Sequence, residues 1–293
     1  MQTIGIVSPG AMGSGVASAL IRGGARVVAT LAGRSARTEA LAGRAEVEVL
    51  QDLATVVREA DVILSIVPPG VAESVGTEIL HVAREEPRPP LFVELNAISP
   101  ATALALEDEA PHGLDVVDGS ISGPPPWRAG TTRIYLSGRR AQRVAELPFD
   151  GVDLIVVGDA VGAASAVKMS TASVYKGSTA LLAQALLAAN AHGVVEHVVA
   201  DLRLGAPDLV GSVERRLAMA ASKSSRYVDE MREIAATQAS VGLVPELFET
   251  IADVYAAVAR TPLAEASPEV VPTDLALEQV LDQLNPRRTN VGR

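Results

Sequence analysis

A turn near the N-terminus contains the residue types that can hold the pyrophosphate of a dinucleotide. Ser8-Pro9-Gly10-Ala11-Met12-Gly13 follows the β-branched run 3–7 and precedes a helical stretch. In such a turn one glycine lets the backbone approach the phosphates, a later one lets the helix pack on the sheet, and the helix N-terminus faces the anion. Gly10 and Gly13 fit these two glycine roles. Ser8 replaces the usual first glycine, so the G-x-G-x-x-G pattern is incomplete and the prediction depends on its strand–helix context.

The residues after the second predicted strand bear on the choice of cofactor. An acidic side chain there would bind the 2′-hydroxyl of NAD, whereas an arginine would bind the 2′-phosphate of NADP. This chain has Gly33-Arg34-Ser35 and no acid before Glu39. Arg34 can form paired hydrogen bonds with a phosphate and Ser35 can donate another, which favours NADPH over NADH. The alternative is that Arg34 and Arg37 are solvated and that Ser35 caps the next helix.

Two further turns follow strands whose carboxyl ends lie at the ligand-binding edge of a doubly wound sheet. One is Val67-Pro68-Pro69-Gly70 and the other is Asn96-Ala97-Ile98-Ser99-Pro100. We expect Val67, Pro68, Pro69 and Asn96 to border the nicotinamide ribose. The alternative is that both segments are ordinary strand-to-helix turns that carry a proline near the helix start.

The elements that would position these turns change character halfway along the chain. Apolar or β-branched runs at 3–7, 26–30, 61–67, 91–95, 115–117, 133–136 and 154–157 are separated, in the earlier part, by helical stretches. This alternation predicts an α/β Rossmann-like fold with a doubly wound parallel sheet. After Gly158 no strand is predicted, and the proline-free run 163–191 predicts one helix of about 40 Å.

The predicted domain organisation follows from that change. We expect an NADP-binding Rossmann domain over 1–160 and an all-α domain for substrate binding and dimerisation over 161–293, joined by the long interdomain helix. The tail 285–293 is expected to be frayed.

Composition argues against several classes of protein. The 293 residues include 25 Lys and Arg against 35 Asp and Glu, a net charge of −10, and 3% aromatic residues, which disfavours nucleic-acid binding. There is no cysteine, which excludes disulfides and thiolate chemistry. No apolar run is long enough to span a membrane and no secretory signal is recognised, so we expect a cytoplasmic protein without membrane partners.

Several segments together resemble the β-hydroxyacid dehydrogenase superfamily, which includes 6-phosphogluconate dehydrogenase and the imine reductases. The resemblance lies in the Ala-Met-Gly, Val-Pro-Pro and Asn-Ala-Ile-Ser-Pro turns, in Asp-Gly-Ser-Ile-Ser-Gly at 118–123 and in Gly-Ala-Ala-Ser-Ala-Val-Lys at 162–168. Segments 31–35 and 227–234 are similar to a branch whose C-terminal domain carries the label DUF1932, a domain of unknown function.

The resemblance implies hydride transfer between NADP(H) and a small hydroxyacid or carbonyl substrate, an activity of the EC 1.1.1 type. It implies that Lys168 is the general acid/base and that Ser122 and Gly123 bind a substrate carboxylate. It also implies a homodimer formed through the helical domain. Desolvation beside an apolar helix can lower the pKa of a lysine towards the working range, which is consistent with that role for Lys168.

The chain departs from the family pattern after Lys168. Ala172 stands where the family usually has Asn, and Tyr175 stands where phosphogluconate dehydrogenase has a catalytic Glu. Thr171 and Tyr175 are therefore candidates to supply a hydroxyl, since both lie on the helix face of Lys168. These departures argue against decarboxylation of phosphogluconate as the reaction.

Three other side chains have two interpretations each. Trp127, in the proline-rich loop after Gly123, either forms part of a substrate rim or packs on the sheet edge. Lys176 either acts near the site, or lies at the surface or pairs with a carboxylate. Glu230 lies either on a solvated or ion-paired helix face or in the cleft.

Four other function classes are alternatives to a hydroxyacid dehydrogenase. An NADPH-dependent imine reductase shares the architecture, but such enzymes commonly carry Asp or Tyr in place of Lys168. A non-catalytic NADP-binding protein is compatible with Ser8 and with the missing Asn. The S-x-x-K patterns of serine hydrolases at 165–168 and 173–176 lack their companion Ser-Asp-Asn and Lys-Thr-Gly elements. The four histidines do not have metal-ligand spacing, so no metal is expected.

Overall fold

The computed structural model describes residues 1–272 and 274–285. The chain separates into two compact units, Met1–Met169 and Ser170–Arg293. Residues 286–293, most of the tail expected to be frayed, lie outside the described residues. In the described part no helix is both long and apolar enough to cross a membrane.

The first unit is built on a single sheet. Within the described residues its strands are β1 (Thr3–Val7), β2 (Arg26–Thr30), β3 (Glu48–Leu50), β4 (Val62–Ser65), β5 (Leu91–Glu94), β6 (Val116–Ser122), β7 (Thr132–Ser137) and β8 (Val152–Gly158). They are ordered β3-β2-β1-β4-β5-β6-β7-β8. Neighbouring strands are parallel, except that β6 and β7 are antiparallel. The carboxyl ends of β1, β4, β5 and β6 therefore share one edge.

Helices cover both faces of this sheet. They are α1 (Ala11–Arg22), α2 (Ala36–Arg44), α3 (Leu53–Glu59), α4 (Ala72–Arg84), α5 (Pro100–Glu109), α6 (Ala141–Ala145) and the start of α7 (Ala163–Ala191). Alternate residues of β2 enter different apolar clusters: Val27 and Ala29 pack with Leu20 of α1, and Val28 packs with Val56 of α3. A sheet buried on both faces is the doubly wound arrangement, which confirms the predicted fold class.

Among its described residues the second unit contains helices and connecting loops but no strand. After α7 come α8 (Val195–Gly205), α9 (Pro207–Val210), α10 (Val213–Ala221), α11 (Ser224–Ser240), α12 (Glu246–Val258) and α13 (Leu277–Leu284). Its core includes Leu186, Leu217 and Leu281, which are almost completely buried. Helix ends lie at or near the predicted interruptions Gly205-Ala206-Pro207, Gly242 and Pro262, because glycine and proline interrupt helical hydrogen bonding, whereas the break between α10 and α11 at Ser222-Lys223 contains neither residue type.

Two strands differ from the sequence-based expectation. β3 is only three residues long and is not predicted, since such a short run carries too little periodicity. β6 extends to Ser122 instead of ending near residue 117. The small and polar residues of its second half pair with β7, and these long-range pairings cannot be inferred from local pattern.

Candidate active site

The glycine-containing turn keeps the geometry of a phosphate-binding turn despite its serine. Ser8 has a φ of +64°, a left-handed conformation that glycine adopts readily and other residues adopt rarely. A Cβ atom at position 13 would lie 2.7 Å from the carbonyl oxygen of Ser8, whereas one at position 10 would meet nothing within 4 Å. Gly13 is thus needed for packing, and Gly10 faces open space.

The N-terminus of α1 directly follows this turn. Gly10 is the residue before the helix, and the first turn of α1 contains no acidic side chain. Backbone N–H groups and the helix dipole can therefore face an anion there. Ser14 is used internally, since its hydroxyl donates a 2.6 Å hydrogen bond to the carbonyl of Pro9 and fixes the turn. These residues fit a dinucleotide pyrophosphate.

The segment after β2 presents Arg34 to solvent. Gly33 adopts a φ of +70°, and Arg34 and Ser35 are exposed. Ser35 caps α2, because its hydroxyl oxygen accepts a hydrogen bond from the backbone N–H of Thr38 at 3.3 Å. Arg34 forms no ion pair with another residue in the described part of the chain, so its guanidinium is available to a 2′-phosphate. The capping role that was one alternative for Ser35 is thus observed.

Asn96 ties the turns after β4 and β5 together. It is buried; its Oδ1 accepts a 2.5 Å hydrogen bond from the backbone N–H of Val67, and its Nδ2 donates to Ser65 at 3.0 Å. Pro68 is exposed and Pro69 is buried in a short 3-10 helix. The accessible part of this edge is therefore Val67 and Pro68, which Asn96 holds in position.

Lys168 lies against the predicted substrate segment. Its Nζ donates a 2.7 Å hydrogen bond to the carbonyl oxygen of Ile121, near the end of β6. Ser122 follows directly and is half-buried, and Gly123 is exposed with a φ of +125°. A side chain at position 123 would overlap the backbone of Thr131, so the turn requires glycine. The structure thus brings together Lys168, Ser122 and Gly123 within the first unit.

Asp118 anchors the helix that carries Lys168. This carboxylate is fully buried on β6, and its Oδ2 accepts hydrogen bonds from the N–H groups of Gly162 (2.9 Å) and Ser165 (3.0 Å) and from the hydroxyl of Ser137 (3.0 Å). Its Oδ1 accepts a 2.6 Å hydrogen bond from the hydroxyl of Ser165. A carboxylate at a helix N-terminus also interacts favourably with the helix dipole. Sequence reasoning assigned Asp118 no role; its one signal is an acid in an otherwise apolar or small run.

Glu94, at the end of β5, is a second buried carboxyl beside the first. Its Oε1 accepts a 2.7 Å hydrogen bond from the backbone N–H of Asn96. Burial raises the pKa of this carboxyl to about 8, and the charge of Asp118 adds to the rise. Sequence reasoning did not single out Glu94, although an acid at the end of an apolar strand was a visible signal.

Trp127 packs against the hydrophobic core of the first unit. It is partly buried against the core, and the guanidinium of Arg44 lies 4.4 Å from the centre of its ring. The loop before it packs closely on α1, since a side chain at position 15 would meet Pro125 and Pro126 at 2.9 Å. These contacts are the ones that the packing interpretation of Trp127 predicts.

Thr171 and Tyr175 belong to the second unit, three and seven residues after Lys168 on α7. Thr171 is half-buried and Tyr175 is 68% exposed. Within the second unit, Tyr175 lines a cavity of about 500 Å³ together with Arg216 and Tyr227. A phenol with this exposure can donate to a ligand.

Lys176 and Glu230 form a buried ion pair in the second unit. The Lys176 ammonium also lies 4.3 Å from the centre of the Tyr227 ring. Burial, together with the charge of Glu230, raises the pKa of the Tyr227 phenol to about 12. The pairing of Lys176 with a carboxylate, one of its two interpretations, is therefore observed.

Comparison with known proteins gives one family match in each of the two units. Residues 3–89 match the family model described as NADP oxidoreductase, coenzyme F420-dependent, and residues 189–258 match the domain of unknown function DUF1932. Both matches confirm the resemblance stated from the sequence. The first is an NADP-dependent family, which confirms the predicted cofactor.

Individual relatives agree with these matches. An uncharacterised 28.5 kDa protein of Methanothermus fervidus is 27% identical over 170 residues, and the match spans 57% of this chain and 63% of that relative's length. A conserved protein of unknown function, described as structurally similar to 3-hydroxyacid dehydrogenases, is 29% identical with a TM-score of 0.65, covering 87% of this chain and 97% of that one.

Two more distant structures share the fold. A Mycobacterium tuberculosis 3-hydroxyisobutyrate dehydrogenase with L-serine is 22% identical with a TM-score of 0.68, covering 92% of this chain and 98% of that one. An imine reductase from Myxococcus stipitatus in complex with NADP+ is 19% identical with a TM-score of 0.56, covering 97% of this chain and 100% of that one. Taken together, the comparisons support an oxidoreductase.

Proposed function

We propose that this protein is an NADPH-dependent oxidoreductase that transfers hydride between the nicotinamide and a small hydroxyacid or carbonyl compound, with Lys168 as general acid/base. The observation that carries the proposal is the position of the Lys168 ammonium, which lies 2.7 Å from the carbonyl oxygen of Ile121. Ile121 directly precedes Ser122 in β6. An ammonium held beside a polar strand end is suited to exchange a proton with a bound oxygen.

Each part of the first unit has a role in this proposal. The N–H groups after Gly10 bind the pyrophosphate, Arg34 binds the 2′-phosphate, and Ser122 with the N–H of Gly123 binds the anionic end of the substrate. NADPH, when bound, supplies the hydride to the carbonyl carbon. Lys168 donates a proton to the carbonyl oxygen, so that the product is an alcohol; in the oxidative direction it accepts that proton.

Lys168→Met tests this assignment, since methionine keeps the apolar stem and removes the ammonium. On a panel of aldehydes, ketones and ketoacids with NADPH, we expect kcat to fall about 10²- to 10⁴-fold, the range for loss of a general acid. The Kd for NADPH should stay within about twofold. Unchanged kcat would contradict the role of Lys168. NADPH binding by the wild type without turnover on any substrate would favour a non-catalytic NADP-binding protein.

Imine reduction is the second candidate. It is supported by the fold shared with imine reductases and by the two departures from the hydroxyacid pattern, Ala172 and the exposed phenol of Tyr175. Cyclic imines in the same panel separate the two reactions. Turnover of imines that depends on Tyr175, tested with Tyr175→Phe, and no turnover of carbonyl compounds would favour this candidate.

We also propose that the chain forms a homodimer through its helical unit. Val174 and Leu181, seven residues apart on α7, are 66% and 72% exposed and form an apolar helix face that a second copy can cover. Analytical ultracentrifugation should give twice the chain mass, and Leu181→Glu should shift the protein towards the monomer. A monomeric wild type at micromolar concentration would contradict the proposal, as would a Leu181→Glu protein that remains dimeric.

A further inference from the structure

The cavity in the second unit has the size and the apolar walls of a small-molecule site. It measures about 500 Å³ and is lined by residues of α7, α9, α10 and α11. Small-molecule sites in proteins commonly measure about 300–1,000 Å³ and combine apolar walls with a few polar groups. Leu209, Met219 and Ala220 supply apolar wall here. The polar groups decide which class of molecule the cavity can bind.

Arg216 is a half-buried cation that is held rigidly at the cavity wall. Its Nε donates a 2.7 Å hydrogen bond to Thr179 Oγ1, and its Nη2 donates a 2.6 Å hydrogen bond to Ser178 Oγ. Nη2 also donates to the carbonyl oxygen of Tyr175 at 3.2 Å, and Nη1 donates to that of Leu209 at 3.4 Å. These acceptors are neutral, and Arg216 forms no ion pair within the described part of the chain. Since a guanidinium has five N–H groups, one N–H of Nη1 and the positive charge remain for a ligand.

Tyr227 brings to the same cavity a hydroxyl that the protein does not use internally. Its ring is fixed, because Tyr255 lies edge-on with 5.2 Å between the ring centres and the Lys176 ammonium lies 4.3 Å from the ring centre. The hydroxyl of Tyr255 donates a 2.8 Å hydrogen bond to the carbonyl oxygen of Lys176, whereas that of Tyr227 has no hydrogen-bond partner among the residues that the structure describes. Burial, together with the charge of Glu230, raises the pKa of the Tyr227 phenol to about 12, so it keeps its proton and can donate.

The other charged groups at the cavity favour an anion over a cation. The charge of Lys176 is compensated by the buried carboxylate of Glu230. Asp208 also lines the cavity, but it is exposed to solvent and forms no ion pair with Arg216. The half-buried polar groups that remain are hydrogen-bond donors, Arg216 and Tyr227. Donors of this kind match the two acceptor oxygens of a carboxylate.

We propose that this cavity binds a small organic carboxylate with an apolar body. The carboxylate accepts hydrogen bonds from the Arg216 guanidinium and the Tyr227 hydroxyl, and the apolar body packs on Leu209, Met219 and Ala220. The site lies in the second unit alone, so this inference does not rest on the proposed function of the first unit.

Calorimetric titration of the full chain, without NADPH, tests the proposal with butanoate, hexanoate and 3-phenylpropanoate as probes. At least one of these carboxylates should bind saturably, with a Kd of about 1 mM or lower. The alcohol with the same carbon skeleton should bind at least about tenfold more weakly, because a hydrogen bond to a charged group contributes more than one to a neutral group.

Two substitutions locate the bound carboxylate. Tyr227→Phe keeps the ring and its contacts with Tyr255 and Lys176, and it should raise the Kd about tenfold by removing the hydroxyl. Arg216→Met keeps the apolar stem and should raise the Kd at least about tenfold by removing the charge. Arg215→Met, at the exposed neighbouring arginine of α10, is the matched control and should keep the wild-type Kd. Since Arg216 also ties α10 to α7, Tyr227→Phe decides the matter if the Arg216→Met protein does not fold.

Three results would overturn the proposal. The first is that none of the three carboxylates binds saturably, and the second is that acid and alcohol bind equally. The third is a Kd that Tyr227→Phe leaves unchanged, because the carboxylate then binds elsewhere, as at Ser122 and Gly123 of the first unit. NADPH binding is measured separately, and its absence in the wild type would contradict the proposed function alone.

Discussion

At the scale of single residues, the proposed chemistry depends on where Lys168 is held. Its proton-transfer role was inferred from a motif, and the motif could place it near Ser122 and Gly123. The motif could not show how it is held there, because Asp118 anchors α7 through Gly162 and Ser165, more than forty residues later in the chain. The left-handed conformation of Ser8 was equally hidden, since serine rarely adopts it.

Asp118→Asn should destabilise the first unit. The amide keeps the shape but loses the charge that four hydrogen-bond donors and the dipole of α7 stabilise, and its NH₂ group would face N–H donors. We expect the free energy of unfolding, measured by urea denaturation, to fall by about 1.5–3 kcal/mol, the range for hydrogen bonds to a charged group.

Asp115→Asn is the matched control for that change. Asp115 pairs with Arg140 across a largely exposed ion pair at 2.9 Å, and such pairs contribute about 1 kcal/mol or less. Equal unfolding midpoints for the Asp118→Asn and Asp115→Asn proteins would show that Asp118 does not anchor α7.

At the scale of elements, local sequence patterns predicted the helices and strands whose formation depends on local sequence. The strand–helix alternation of the first half and the long helix α7, observed over Ala163–Ala191, both follow from composition and periodicity. β3 was not predicted because three residues carry too little periodicity, and the second half of β6 was not predicted because small and polar residues there are held in a strand by pairing with β7. For the turn after β1, strand and helix context indicated the right element although its glycine pattern was incomplete.

Two alanine substitutions in this turn separate packing from binding. Gly13→Ala should lower the thermal midpoint, because its methyl group would lie 2.7 Å from the carbonyl oxygen of Ser8. Gly10→Ala should leave the midpoint unchanged, since its methyl group meets nothing within 4 Å and the φ of −71° suits alanine.

The same Gly10→Ala protein should bind NADPH at least about tenfold more weakly, because the methyl group occupies the space through which the pyrophosphate approaches. Calorimetry and thermal denaturation of both variants check the pair. Full NADPH affinity in the Gly10→Ala protein would show that the phosphates bind elsewhere.

At the scale of the whole molecule, the two units contribute different information. The first unit carries the match to an NADP-dependent family and the residues proposed to bind the cofactor and the substrate and to transfer the proton. The second carries the DUF1932 match, a cavity of about 500 Å³ and an exposed apolar face on α7. Cofactor chemistry could thus be inferred from sequence, whereas the substrate could not, since the second unit has no motif of known chemistry.

Calorimetric binding of NADPH and NADH to the wild type and to Arg34→Ala tests the central claim most directly. The wild type should bind NADPH at least about tenfold more tightly than NADH, and this preference should disappear in the variant, because Arg34 is the exposed cation available to the 2′-phosphate. Arg84→Ala, at an exposed arginine of α4, should keep the preference. Equal affinities for the two cofactors in the wild type, or a preference that survives Arg34→Ala, would contradict the account.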